Sequence, residues 1–144
     1  MVIRLKEADV QKLSLVREII LRDVRVHYTL PQLSALSQLN TFKLKKGFKM
    51  LYGQSIYDFL QSQRMELALQ LLTATDDPIQ DIADRCGYGY ATNFIAVFRR
   101  KFKIKPTHYR RSQSIGKSFI QHPSRTCYVS QAPDTLYPVP RYKY

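Results

Sequence analysis

The sequence predicts an all-α fold made of two small subdomains, each a short helix, a turn and a basic helix, joined by a long linker helix. Three observations carry that expectation. Apolar residues recur at helical rather than strand spacing through most of residues 6–110. The order short helix, turn, basic helix occurs twice, with Leu33 and Phe48 of the first copy matched by Ile82 and Phe98 of the second. Between the copies lies the longest helical stretch of the chain, residues 55–74.

Residues 1–28 read as an N-terminal helix packing on the first subdomain. Over residues 6–24, Val10, Leu13, Ile20 and Val24 fall near helical spacing, with Val16 and Ile19 beside them. Residues 29–53 make the first subdomain. In "TLPQLSALSQL", Thr29 and Gln32 form a capping-box pattern, and Pro31 is tolerated because a first-turn N–H has no helical partner. Leu30, Leu33 and Leu36 supply the expected buried stripe. After a turn at residues 37–39, Asn40 reads as the N-cap of "TFKLKKGFKMLYG". In that helix Leu44, Phe48 and Leu51 share the packing face, while Phe42, Lys45, Lys46 and Lys49 share the opposite one. Gly53 supplies the stop.

Residues 54–75 read as the linker helix, with apolar contacts from Ile56, Phe59, Leu60, Leu67, Leu71 and Leu72. Its length comes to roughly 30 Å at ~1.5 Å per residue. Residues 76–112 make the second subdomain. Asp77 is expected at the N-cap, Pro78 at the first helical position and Gln80 at the capping-box position. Ile79, Ile82, Ala83 and Cys86 share one face, and Gly87 and Gly89 mark the turn. The next helix, residues 90–102, is expected to bury Phe94, Val97 and Phe98 and to leave Thr92, Asn93, Ala96, Arg99 and Arg100 outside. A short last helix after Pro106 takes in His108, Tyr109 and Arg110. From Gln113 the pattern dissolves, so residues 113–144, with four prolines and four tyrosines, are expected to form a disordered tail.

Charge narrows the function. The 144 residues carry a formal charge of +12, an excess that attracts polyanions, either nucleic acid or an anionic membrane. No apolar run approaches the ~18–20 residues of a spanning helix, and residues 1–17 lack a signal peptide's apolar stretch. The membrane is therefore excluded as a partner, and a soluble, cytoplasmic protein is expected. No carboxylate occurs between Asp23 and Asp58 or between Asp84 and Asp134, and each window is rich in Lys or Arg. Two separated basic windows suggest two anion-facing surfaces.

A bracing helix followed by a basic helix is the layout of a helix-turn-helix, whose second helix enters the DNA major groove. Two recognition helices held about 34 Å apart can enter successive major grooves on one face of the duplex. "PIQDIADRCGYGYATNFIAVFRRKFKIKPTHYRR" then resembles the DNA-binding domain of the AraC/XylS family of bacterial transcription regulators. The shared pattern is Ile-Ala, a Gly-aromatic turn, Phe-x-x-x-Phe, then Phe-x-x-x-Pro-x-x-Tyr-Arg. The resemblance runs from about Thr29 to Arg111, and "NTFKLKKGFKMLYGQSIYDFL" further resembles the PchR-like branch, often linked to siderophore-dependent control.

The resemblance implies a homeodomain-like, AraC-type fold that binds promoter DNA, contacts RNA polymerase and sits with the nucleoid. It places Phe42, Lys45 and Lys46 of the first recognition helix, and Thr92, Asn93 and Ala96 of the second, at base-reading positions. Lys45 or Lys46 would donate to guanine, Asn93 would pair with an adenine edge and Ala96 would touch a thymine methyl. Lys43, Lys49, Arg99, Arg100 and Lys103 are expected on phosphates, which set register and affinity. Four residues depart from the pattern. Gln38 replaces a small turn residue, Lys103 replaces a common glycine, and Gly47 sits inside a helix at a cost of ~1 kcal/mol relative to Ala. Ala96 stands where relatives can carry a long polar side chain, so the second helix is expected to read fewer bases. No recognisable effector-sensing or dimerisation domain precedes the match, so the regulator either stands alone or is the C-terminal portion of a longer protein.

An enzyme is disfavoured, and no cofactor or metal is expected. His27, His108 and His122 have no metal-site or Cys/His spacing, and no phosphate loop or nucleophile elbow occurs. Methyl transfer by a reactive cysteine accompanies similar domains, but Cys86 falls on an apolar stripe, where a buried inert thiol is the default. The remaining rival is a non-specific basic nucleic-acid-binding or protein-interaction module. It would need exposed stacking aromatics, and only Phe42 and Tyr90 are placed to serve.

Overall fold

Local capping chemistry sets most of the helix boundaries. The computed structural model describes residues 3–119, with backbone alone for residues 116–119. Among the described residues the chain forms α1 (Glu7–Arg22), α2 (Leu30–Ser37), α3 (Thr41–Tyr52), α4 (Ile56–Ala74), α5 (Ile79–Arg85), α6 (Ala91–Phe102) and α7 (Pro106–Phe119), and no strand. It divides into two compact units, with the boundary between Arg64 and Met65, inside α4.

In the first unit α1 lies against α2 and α3. Its inward row is Leu13, Val16 and Ile20, buried with Leu33, Leu39, Leu44, Phe48, Phe59 and Leu60. Val10 and Val24 are only half-buried, because Val10 lies at the start of the helix and Val24 beyond its end. The α2 capping box forms as expected: Gln32 N donates to Thr29 Oγ1 (3.3 Å) and Thr29 N to Gln32 Oε1 (2.8 Å). Leu36, expected in the buried stripe, is 52% exposed. This eight-residue helix turns Leu33 and Ser37 inward instead, and Leu39 follows them after the turn. Ser37 is tolerated there because its hydroxyl donates to Leu33 O at 2.7 Å.

Gly47 has a role that the sequence did not reveal. A Cβ at this position would lie 2.9 Å from Leu13 Cδ1 and 3.1 Å from Leu5 Cδ2, so the bare backbone is what admits α1 against α3. Further along, buried Arg64 donates from Nε to Val24 O (2.7 Å) and from a terminal nitrogen to Arg25 O (3.2 Å). It thereby ties the connector between α1 and α2 to α4.

The second unit buries Met65, Ala68, Leu71 and Leu72 of α4 with Ile82, Ala83, Cys86, Tyr88, Phe94 and Phe98. Leu67 is only half-buried, and Met65 and Ala68 take the inner positions. The expected start of α5 is corrected. Pro78 has an extended backbone (φ −54°, ψ 149°) and is itself the N-cap, with no side-chain cap bond. Asp77 instead pairs with Arg85 at 2.8 Å, and its carbonyl accepts from Arg110 at 2.6 Å. In the turn Gly87 takes a left-handed conformation (φ 85°), which glycine adopts without a Cβ penalty. Gly89 does not, and a Cβ there would meet nothing within 4 Å.

The closing helix runs to Phe119, past Gln113, where order was expected to fade. Pro106 and the packing of Tyr109 on Phe98 (centroids 6.0 Å apart) anchor its first turns. No proline follows until Pro123, so propagation costs little once the nucleus exists. The rest of the expected tail, residues 120–144, lies outside the described residues.

Candidate nucleic-acid interface

Two helices present the predicted contact residues, one in each unit. On α3, Asn40 caps the N-terminus by accepting from Lys43 N (2.7 Å), and Gly53 closes the C-terminus (φ 73°), donating to Lys49 O at 2.8 Å. Leu44, Gly47 and Phe48 are buried beneath it. Phe42, Lys45, Lys46 and Lys49 all face solvent, Phe42 at 51% exposure. The structure thus gathers the three predicted lysines and the aromatic on one face. Leu51, on the packing side, is half-buried.

Lys43 stands apart from that set. Its ammonium lies 2.9 Å from the Asp9 carboxylate of α1, which ties it to the protein itself. Asp9 is 7% exposed and also accepts from Lys6 N at 3.0 Å. The Lys43 hydrogen bond, followed by that backbone bond, holds the Asp9 carboxyl below its ordinary value. Lys12 reaches from the same helix to the carbonyl of Gln38 at 3.4 Å, and Ser14 Oγ lies 3.4 Å from Tyr52 Oη. Gln38 occupies the left-handed conformation (φ 57°) that the small residue of the pattern would take more easily. α1 therefore braces the turn and both ends of α3. The sequence carried no local signal for this, because the partners lie 26 to 38 residues apart.

On α6, Phe94 and Phe98 are fully buried and Val97 half-buried, whereas Thr92, Asn93, Ala96, Arg99 and Arg100 are all exposed. The aromatic ladder Tyr88–Phe94–Phe98–Phe102, with centroids 4.6 to 5.8 Å apart, seats the helix. Tyr90 is the N-cap residue but makes no side-chain cap bond, and its ring is 71% exposed. The cap comes from the preceding helix: Ala91 N donates to Gln80 Oε1 at 3.0 Å, while Gln80 Nε2 is held by Asp84 Oδ1 at 2.8 Å. Gln80 was expected to cap α5. It positions the start of α6 instead, next to Thr92 and Asn93. Lys103 ends the helix in a left-handed conformation (φ 64°) and is exposed.

The electrostatics of both faces are one-sided. Among the described residues no carboxylate lies within ion-pair distance of Lys45, Lys46, Lys49, Arg99 or Arg100. Arg99, Arg100 and Lys101 fall in the last turn of α6, where the helix dipole favours cations. Unneutralised cations beside exposed Asn and Thr can grip phosphates and present hydrogen-bonding groups to base edges. Cys86 is wholly buried.

Comparison with known proteins places this geometry. A family model described as a helix-turn-helix domain matches residues 33–112, more than half of the chain. The HTH-type transcriptional activator RhaR of Mannheimia succiniciproducens is 29% identical over 103 residues, covering 72% of this chain and 37% of that protein. The chain thus spans little more than a third of the length of that relative. The C-terminal domain of the two-component response regulator yesN from Fusobacterium nucleatum superposes with a TM-score of 0.63 at 32% identity, over 67% of this chain and 95% of that one. The DNA-binding domain of AdpA, solved in complex with a target DNA, superposes with a TM-score of 0.70 at 23% identity, over 74% of this chain and 96% of that one. At that identity the likeness to AdpA is one of fold. Among the described residues no helix is long and apolar enough to cross a membrane.

Proposed function

Since this chain belongs to the AraC/XylS family of helix-turn-helix regulators, we propose that it binds double-stranded promoter DNA sequence-specifically, inserting α3 and α6 into successive major grooves. The observation that carries this reading is the pair of exposed polar faces. Lys45, Lys46 and Lys49 lie on one, and Thr92, Asn93, Arg99 and Arg100 on the other, with no neutralising carboxylate among the described residues. Phe42, Lys45, Lys46, Thr92, Asn93 and Ala96 read bases; Lys49, Arg99, Arg100 and Lys103 hold phosphates. Lys43 contributes to DNA indirectly, by anchoring the start of α3 to Asp9. RNA polymerase is the second partner, and an effector-sensing or dimerisation domain is the third, supported by the extent of RhaR outside the matched region. Methyl transfer through Cys86 is not assigned, since that thiol is wholly buried.

The test compares a sequence enriched from a random DNA pool with unselected DNA. Lys46→Ala and Asn93→Ala should each cost ~1–3 kcal/mol on the enriched sequence and relax preference at particular bases, whereas Arg100→Ala should weaken all sequences alike. Equal losses on both DNAs for all three variants would leave a non-specific basic module as the function. Inserting about five base pairs, half a helical turn, between the two half-contacts should abolish tight binding. Unchanged affinity would remove two-groove docking.

A further inference from the structure

The two recognition helices start differently. Asn40, the residue before α3, accepts from Lys43 N at 2.7 Å and so caps its own helix. Tyr90 holds the corresponding position before α6, also in extended backbone, and makes no side-chain cap bond. Gln80 of α5, eleven residues before Ala91, caps α6 in its place by accepting from Ala91 N at 3.0 Å, while its own amide donates to Asp84. Capping has thus moved to another helix, and the position it left holds an aromatic ring. That ring is 71% exposed, more than any other large apolar side chain among the described residues. The core of the second unit does not need it, since Tyr88, Phe94 and Phe98 already fill the space beneath α6.

The charge around the ring narrows its partner. The first turn of α6, residues 91–94, carries no charged side chain, whereas Arg99, Arg100 and Lys101 all fall in the last turn. Phosphate is therefore held at the far end of the helix, and the N-terminal end of a recognition helix is the one that meets base edges. The one apolar group that base pairs present in the major groove is the C5-methyl of thymine. An exposed ring at that end has a single apolar target. We propose that Tyr90 is a specificity residue, its ring lying on the methyl of a thymine beside the base read by Asn93. This role rests on the groove-reading function proposed above. It gives α6 a second apolar contact besides the single methyl that Ala96 offers, and it explains why Gln80 has taken over the cap.

The experiment replaces each thymine of a sequence enriched from a random DNA pool, one at a time, by deoxyuracil, which removes the methyl and nothing else. Binding of the full chain is measured by anisotropy. The wild type should lose affinity roughly fourfold at the thymine under Tyr90, the scale of one methyl kept from water. Tyr90→Ser restores the residue type of an ordinary cap. It should bind the enriched site at least roughly fivefold less tightly, the low end for one misread base pair, and thymine and uracil should become equal at that position. Tyr90→Phe keeps the ring and should discriminate as the wild type does. Tyr90→Ser should also melt no lower than the wild type, because the Gln80 cap is untouched and a hydroxyl is added. Unchanged discrimination in Tyr90→Ser, lost discrimination in Tyr90→Phe, or a lower melting temperature for Tyr90→Ser would each overturn the proposal. Groove reading survives those outcomes as long as Asn93→Ala still relaxes base preference. If the pool yields no enriched sequence, both readings fall.

Discussion

Replacing Gly47 with alanine should destabilise the first unit, although Ala is the better helix former by about 1 kcal/mol. The added methyl would sit 2.9 Å from Leu13 Cδ1, well inside the roughly 3.5–4.0 Å of a normal carbon contact. Leu13 is fully buried and has no solvent into which to swing. Overpacking of this kind costs about 1–3 kcal/mol, so the net loss falls between about 0 and 2 kcal/mol. The double-mutant cycle is more decisive. Leu13→Ala alone should cost about 2–5 kcal/mol. With that side chain gone the 2.9 Å clash disappears and only half-buried Leu5, 3.1 Å away, must give slightly, so Gly47→Ala should then stabilise the protein by up to about 1 kcal/mol. The two substitutions should therefore couple favourably by about 1–3 kcal/mol. Urea unfolding by circular dichroism gives the totals, and hydrogen exchange at Leu44 and Phe48 confines the effect to the first unit. Additivity within about 0.5 kcal/mol, or a wild-type background stabilised by the full helix-propensity gain, would refute the close-packing role.

Three further outcomes are expected. The folded-state pKa of Asp9 is depressed from 3.8 by Lys43 and the Lys6 amide, so its stabilisation is present above the ordinary carboxylate value and is lost as pH falls through the lowered one. Urea midpoints from about pH 6 to about pH 2 should fall in the wild type, with that component missing from Asp9→Asn; Asp23, held at about 2 by Arg25, titrates at the lower end of that range. Lys103→Gly should raise stability by roughly 0.5 kcal/mol, as relief of the left-handed backbone outweighs glycine's unfolded freedom. The same change should reduce the salt slope of DNA binding by about 1, and a lower melting temperature would contradict the strain. Gln80→Ala should cost about 1 kcal/mol through the lost cap of α6 and speed exchange of the Ala91 amide; unchanged protection there would show that the cap is dispensable.

Chemistry confined to a few neighbouring residues was legible in the sequence. Thr29 with Gln32, Asn40 and Gly53 each act within four residues of their partners, and each formed as expected. The outward faces of α3 and α6 were legible too, because helical periodicity fixes which side chains share a side. What escaped depends on contacts through space. Gly47 looked like a defect until Leu13 was placed beneath it. Lys43, expected on a phosphate, also pairs with Asp9 of α1, a contact that no local spacing announces. The Asp-Pro signal misled because Asp77 found Arg85 instead of the helix amides, which left Gln80 free to serve the following helix.

The helix-turn-helix match begins at residue 33, yet Leu13, Asp9 and Lys12 belong to α1, upstream of it. A recombinant piece trimmed to the motif would carry a notch at Gly47 with nothing to fill it, a lysine without its counter-ion and a turn without its latch. Grafting α3 onto another scaffold would transplant the same gap. On the proposed function, DNA reading by the first unit is therefore not modular at the scale of the motif: the smallest portable part includes a helix with no predicted DNA contact.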